Sequence, residues 1–397
     1  MKLRVFSHQD VAEKKVLLRV DFNVPLKNGE VGDITRILAH RDTISALLKA
    51  NARVALCSHL GRPKGKRVAE MSLSHVAPVA EKVLNHPVSF CGECIGPEVE
   101  TALASLAPGT LLLLENLRYH PEEQENDAKF AKSLSAPFDV FVMDAFSASH
   151  RADASTSAIM DILPSFAGFL LEREVNMLTA VIENPKKPFV LILGGAKVSD
   201  KIGVVEHLMD KATSILIGGG MAFTFLKAGG ANIGRSLFEA EKVDFALEMM
   251  EKAARRGVEI LLPVDVVAGA SLDMTQGERI VPADEIPEGL MGLDIGPKTA
   301  ELFAARAEAA KTVLWNGPMG VFENPLFAGG TRIVSKGVAK CTKNGGLTVV
   351  GGGDTASAAK QLGFDQEVSH VSTGGGASLE FCEGRQLPGI LPLLADK

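Results

Sequence analysis

Nine short apolar runs, each separated from the next by a helix-patterned stretch, constrain this chain more than any other feature. They are "KVLLRV" (15–20), "ARVALC" (52–57), "TLLLLE" (110–115), "DVFVMD" (139–144), "FVLIL" (189–193), "SILIG" (214–218), "EILLP" (259–263), "TVLWN" (312–316) and "LTVVG" (347–351). Strands apolar on both faces and spaced by helices form parallel sheets covered on both sides, which is an α/β architecture. A chain of 397 residues is too long for one core, so two domains are expected. "LLEREVNMLTAVIENPKKP" (170–188) reads as one amphipathic helix closed by Asn-Pro, a connector that puts the boundary near residue 172.

The composition excludes several classes of function. With 46% apolar and 23% charged residues the chain is ordinary globular protein. The start "MKLRVFSHQD" has no apolar signal region, and no run approaches the ~18 apolar residues of a membrane span. We therefore expect a cytoplasmic protein with no membrane partner. Five scattered cysteines (57, 91, 94, 341, 382) suit a reducing compartment. Cys91 and Cys94 have zinc or redox spacing in "CGEC", but no second pair follows to complete a zinc site. A net charge of −6 without a block of like charges argues against nucleic acid. Only 8 of the 39 glycines lie in residues 1–170, so the halves must hold their ligands differently.

The second half offers backbone. "LILGGAKVSDKIG" (191–203), "ILIGGGMAFTF" (215–225) and "VVGGGDTASAAK" (349–360) each run from strand through glycines to a helix start, where free amides attract phosphate. Were the first of these helices to begin near Ala196 or Lys197, Lys197 and Lys201 would share one face and reach successive phosphates. Asp354 suits either a magnesium bridging phosphate oxygens or a plain helix cap. "TVLWNGPMGVFENP" (312–325) is a tight loop whose Glu323 is either solvated or a ribose contact. A P-loop is disfavoured because "GLDIGPKT" inserts Pro297, and a dinucleotide fingerprint fails at Phe223.

The first half offers side chains. Asp21 and Asn23 follow one strand, His59 and Arg62 the next, Arg118 a third, and His150 and Arg151 a fourth, with Arg36 in "DITRI". In open parallel sheets the loops at the strands' carboxyl ends gather around the ligand. Arginine forks pair with carboxylate and phosphate, so the expected guest is a small polyanion.

With those residues in hand, the chain closely resembles phosphoglycerate kinases over its whole length. The stretches that carry the resemblance are "RVDFNVPL", "SHLGRPKG", "LLENLRYH", "DAFSASHRADAST", "GGAKVSDKI", "LDIGPKT", "NGPMGVFE", "GGGDT" and "STGGGASLE", in family order and spacing. The resemblance implies two doubly wound parallel-sheet, Rossmann-like domains joined by a hinge helix. Residues 1–172 would bind 3-phosphoglycerate or 1,3-bisphosphoglycerate, residues 173–377 would bind Mg-ADP or Mg-ATP, and the segment 378–397 would return to the first domain. It assigns Asp21, Asn23, Arg36, His59, Arg62, Arg118 and Arg151 to the triose. It assigns Lys197 to the transferred phosphoryl, Lys201 to nucleotide phosphate, Glu323 to ribose, and Gly352, Gly353, Asp354 and Thr355 to phosphate and Mg2+. It also implies a monomer. The chain departs from the family pattern at Ser147-Ala148-Ser149 and at Phe381 and Cys382, positions expected to touch no charged contact residue.

The implied reaction moves a phosphoryl between the carboxyl of 3-phosphoglycerate and the terminal phosphate of the nucleotide. A carboxylate with a free pKa of ~3.5 is ionised at neutral pH, so no general base is needed. His59 and His150 would then position ligand or support the arginines. Catalysis would come from alignment and charge stabilisation by Arg36, Lys197, helix N-termini at 195–199 and 353–357, and magnesium on Asp354. The rivals are a nicotinamide dehydrogenase, which would need a complete fingerprint, and a non-catalytic polyanion sensor, which would not need both Lys197 and Arg36.

Overall fold

The computed structural model describes residues 1–27, 29–107 and 109–395. It divides into two compact units, Met1–Asn176 with Gln386–Lys397, and Met177–Arg385.

The first unit is built on six parallel strands: β1 Lys15–Arg19, β2 Arg53–Cys57, β3 Val88–Cys91, β4 Leu111–Leu114, β5 Val140–Met143 and β6 Ser165–Ala167, in the order β3-β4-β2-β1-β5-β6. Helices on both faces bury the central strands. Val16, Leu18, Val54, Leu56, Leu111, Leu113, Val140 and Val142 form the heart of one core, completed by Ile44 and Leu47 from the helix Arg41–Lys49. Burial of this kind stabilises by roughly 25 cal/mol per Å² of apolar surface.

The second unit has six more parallel strands: β7 Phe189–Leu193, β8 Ser214–Ile217, β9 Glu259–Leu261, β10 Thr312–Asn316, β11 Leu347–Gly351 and β12 His370–Val371. Their order, β9-β8-β7-β10-β11-β12, is that of a doubly wound dinucleotide-type sheet. Trp315 lies within this core, stacked on Phe364 at 5.4 Å. A separate antiparallel sheet places Asp265–Gly269 between Arg279–Pro282 and Met291–Ile295, an element the alternation of strand and helix did not anticipate.

The connector is a helix, Phe169–Ile182, and the division between units falls inside it between Asn176 and Met177, one turn beyond the expected residue 172. The tail also differs from expectation. The helix Gly376–Cys382 stays with the second unit, where a Cβ on Gly203 would lie 2.7 Å from Glu383 and one on Gly384 2.6 Å from His207. Only the chain from Gln386 onward joins the first unit, through Arg4 N to Leu393 O at 2.7 Å, Ala395 N to Lys2 O at 3.0 Å and Gly389 N to Ser149 O at 2.8 Å. The end of that segment, residues 396–397, lies outside the described residues. Among the described residues no helix is long and apolar enough to cross a membrane.

Candidate active site

Sheet order locates the two half-sites. An open parallel sheet opens a crevice at the carboxyl ends of strands where the winding direction reverses. In the first unit that point lies between β1 and β5, and β4, β2, β1 and β5 stand side by side. The loops bearing Arg118, His59 with Arg62, Asp21 with Asn23, and Arg151 are therefore neighbours. Asn116 stitches two of them together. Its Oδ1 accepts from the amides of Leu60 and Arg118, both at 3.1 Å, and its Nδ2 donates to Leu60 O at 2.7 Å.

Arg118 is buried, yet its guanidinium is only partly used. Nη1 donates to Gly61 O at 2.9 Å, while Nε and Nη2 are buried with no partner in the protein. Burial and the neighbouring charge of Arg151 hold its pKa below the usual arginine value. Buried donors left open are costly, so this pair is a strong sign of an anion site.

His59, also buried, is pushed well below the ordinary imidazole pKa by burial and then by Arg19, Arg118, Arg151 and Arg36. Arg19 Nη2 donates to His59 Nδ1 at 3.1 Å, so the neutral ring carries its hydrogen on Nε2. Arg19 itself escaped the sequence reading. It is fully buried at the end of β1, donates from Nε to Ser155 Oγ at 2.9 Å, and Ser155 in turn donates to buried Glu123. The available signal was a charge inside the apolar run "KVLLRV".

Asp21 is buried and receives Arg36 Nη1 at 2.8 Å; the same nitrogen donates to Asn23 O at 3.1 Å. Asn23 Oδ1 accepts from Gly61 N at 2.9 Å, which ties the first two loops together. Arg62 is exposed and Arg151 half-buried. Ser147 corrects one expectation. Its hydroxyl donates to Asp21 Oδ2, so this departure from the family pattern does touch a charged contact residue. Phe381 and Cys382 are buried packing residues, and burial raises the Cys382 thiol to about 12 while Lys201 lies close enough to oppose it.

In the second unit the winding reverses between β7 and β10. Here the glycines do two different jobs. A Cβ on Gly194 would fall 2.1 Å from Pro318 O, one on Gly317 2.1 Å from Gly194 O, and one on Gly219 2.6 Å from Gly195 N. Gly194, Gly219 and Gly317 thus let the ends of β7, β8 and β10 close against each other, while Gly195, at φ +89°, keeps open space beside it. The third loop is open. Gly352 takes φ +87°, Gly353 would place a Cβ in free space, and the helix Gly353–Leu362 starts there.

The shared helical face expected of Lys197 and Lys201 does not exist. Residues 194–201 are irregular, and the helix runs only over Ile202–Leu208, with Lys201 at its cap. Glu239 takes the Ser199 amide at 2.9 Å and its hydroxyl at 2.6 Å, holding that turn out of the helix. The helix N-terminus expected at 195–199 is accordingly displaced to 202.

Lys197 is exposed, whereas Lys201 is half-buried and donates to Asn316 Oδ1 at 2.7 Å. Burial lowers the Lys201 pKa, with Asp200 and Asp354 opposing. Asn316, which sequence reading left without a role, also stands 2.8 Å from where a Cβ on Gly352 would sit. Thr355 is buried and its hydroxyl accepts from Gly317 N at 2.7 Å. Asp354 and Glu323 are exposed, the first on the opening turn of the helix Gly353–Leu362.

The model of one protein family, described as phosphoglycerate kinase, matches residues 6–385. The chain belongs to that family. It is 50% identical to the phosphoglycerate kinase of Moorella thermoacetica over 384 residues, 97% of each chain. It is 52% identical to that of Rubrobacter xylanophilus over 393 residues, 99% of this chain and 98% of the relative. The solved phosphoglycerate kinase of Coxiella burnetii superposes with a TM-score of 0.87 at 40% identity, covering 99% of both chains. That of Pyrococcus horikoshii does so at 0.84 and 31%, covering 97% of this chain and 96% of the other. Membership makes the chain an enzyme, a phosphotransferase whose acceptor is a carboxyl group, and two α/β units with parallel sheets are the family's architecture.

Proposed function

We propose that the enzyme moves a phosphoryl reversibly between 1,3-bisphosphoglycerate with ADP and 3-phosphoglycerate with ATP, the first unit holding the triose and the second the nucleotide. The observation that carries the division is Arg118, whose two buried nitrogens lack a partner beside His59, Arg36 and Arg151. A phosphate or carboxylate suits those two donors because its oxygens accept two parallel N–H bonds from one guanidinium. We assign Asp21, Asn23, Arg36, His59, Arg62, Arg118 and Arg151 to the triose. We assign Lys197, Lys201, Glu323, Gly352, Gly353, Asp354 and Thr355 to the nucleotide.

The acceptor carboxylate is ionised at neutral pH, so the protein supplies alignment and positive charge rather than a base. Arg36 and Lys197 are our candidates for stabilising charge on the moving phosphoryl. Lys197 is exposed on an irregular loop, free of the pairing that holds Lys201. Amides at the start of the helix Gly353–Leu362 face the nucleotide phosphates, favoured by the helix dipole. An exposed carboxylate at that helix start, next to open backbone, fits magnesium, which needs only one or two protein oxygens when phosphates and water complete its shell. Asp354 would hold the ion, which supplies neutralising charge to the phosphate oxygens.

Because the two substrates bind different units, the reading requires the units to close during turnover. We further infer a cytoplasmic monomer serving glycolysis and, in reverse, gluconeogenesis. Calorimetry tests the division directly: Arg118→Met is expected to weaken 3-phosphoglycerate about 10²-fold while ADP affinity stays as in the wild type. Unchanged triose affinity would refute it.

A further inference from the structure

The loop bearing Asp21 rests on a buried chain of hydrogen bonds that no assigned site residue explains. His40, between the helices Thr35–Ala39 and Arg41–Lys49, is 0% exposed. Its Nε2 accepts from the Asp21 amide at 2.9 Å, and its Nδ1 lies 2.7 Å from Asp144 Oδ2. An amide nitrogen can only donate, so Nε2 is the bare nitrogen and Nδ1 carries the hydrogen given to Asp144.

Asp144, also 0% exposed, is anchored in turn. Its Oδ1 accepts from Leu170 N at 2.9 Å and Leu171 N at 3.3 Å, in the first turn of the helix Phe169–Ile182. A Cβ on Gly168 would lie 2.1 Å from that same oxygen, so the carboxylate is packed tightly under the turn.

We propose that His40 is a positioning residue for the triose site. By accepting the Asp21 amide it sets the backbone of residues 21–23, and through it the Asp21 carboxylate that meets Arg36 and Ser147. Asp144 locks the imidazole in the tautomer that can accept. The proposal rests on the assignment of Asp21 and Asn23 to the triose. Its chemical need is plain: the Asp21 amide is buried just beyond β1, and without His40 it would lose its acceptor.

Two amide side chains separate this role from simple packing. In His40→Gln the side-chain amide reaches the Nε2 position and can accept from Asp21. In His40→Asn it reaches only Nδ1 and can serve Asp144 alone. Calorimetry with 3-phosphoglycerate should give wild-type affinity for His40→Gln and about tenfold weaker binding for His40→Asn, with kcat at saturation little changed in either. Wild-type affinity in both, or equal losses tracking equal drops in Tm, overturns the proposal. Asp21→Asn isolates the underlying assignment: unchanged affinity there removes the site reading itself, whereas weakened affinity there with an unaffected His40→Asn sinks only the role of His40. Nitrogen-15 NMR of the wild-type ring decides the matter should either variant fail to fold. A bare Nε2 with protonated Nδ1 is expected, and the opposite tautomer overturns the proposal.

Discussion

On the proposed reading the two units answer the same problem, holding a polyanion, with opposite materials. In the first, buried and half-buried side chains would do it, and each positive charge has its own support: Arg19 leans on Ser155 and Glu123, Arg36 on Asp21. In the second, main-chain amides would do it, with Gly352 at φ +87° and open space beside Gly353 leaving room for the approach. Side-chain sites can be rigid before ligand arrives only when surrounding groups fix each rotamer, whereas an amide is fixed by its own backbone. Hence the first unit carries the dense polar network and the second the glycines.

The largest expected effect tests whether both materials serve one reaction. Arg36→Ala and Lys197→Ala should each lower kcat at least ~10³-fold, about 4 kcal/mol of transition-state stabilisation, measured at saturating substrates. A wild-type kcat in either breaks the pairing of the two units in catalysis. A smaller effect separates packing glycines from ligand glycines. Gly219→Ala, which drives a Cβ into the Gly195 backbone at φ +62°, should cost roughly 3 kcal/mol in denaturant unfolding. Gly353→Ala should fold as the wild type does and raise KM for nucleotide instead; equal stability losses would erase the distinction.

The smallest effect concerns how each unit treats a buried charge. Among the described residues Asp294 in the second unit has no cation beside it; it accepts from the amides of Gly330 at 2.6 Å and Ile295 at 2.9 Å, and burial raises it from 3.8 to about 8. The folded state then binds a proton that the unfolded state has released. Its contribution is complete below pH ~4 and is lost as pH rises through about 8. Against Asp294→Asn, the wild type should therefore lose roughly 2 kcal/mol between pH 5 and 6.5 in denaturant titrations. A flat difference would mean that the two amides hold the carboxylate ionised.

Nine parallel strands were legible because their residues are apolar on both faces. β3, β6 and β12 were not. Each stands at the end of its sheet, and their residues are not uniformly apolar: β3 carries Ser89, β6 Ser165 and β12 His370. The antiparallel sheet escaped for a related reason: Arg279–Pro282 is largely exposed and carries no apolar run. In the site, residues with exposed chemistry at strand ends were legible, while those acting through others were hidden. Asn116, Asn316, His40 and Asp144 have no sequence signature, since the partners that place them across the fold lie from 19 to 115 positions away.

By itself the sequence determined the α/β class, the two-unit plan and which loops carry charge or glycine, because burial on both faces and backbone permissiveness are local properties of residue type. Only the tertiary structure decided which glycines are open and which are packed, where the helix after Lys201 begins, that Ser147 meets Asp21, and which nitrogen of His40 is bare. Those outcomes depend on distances between loops joined through different strands, and no local pattern encodes the space left between them.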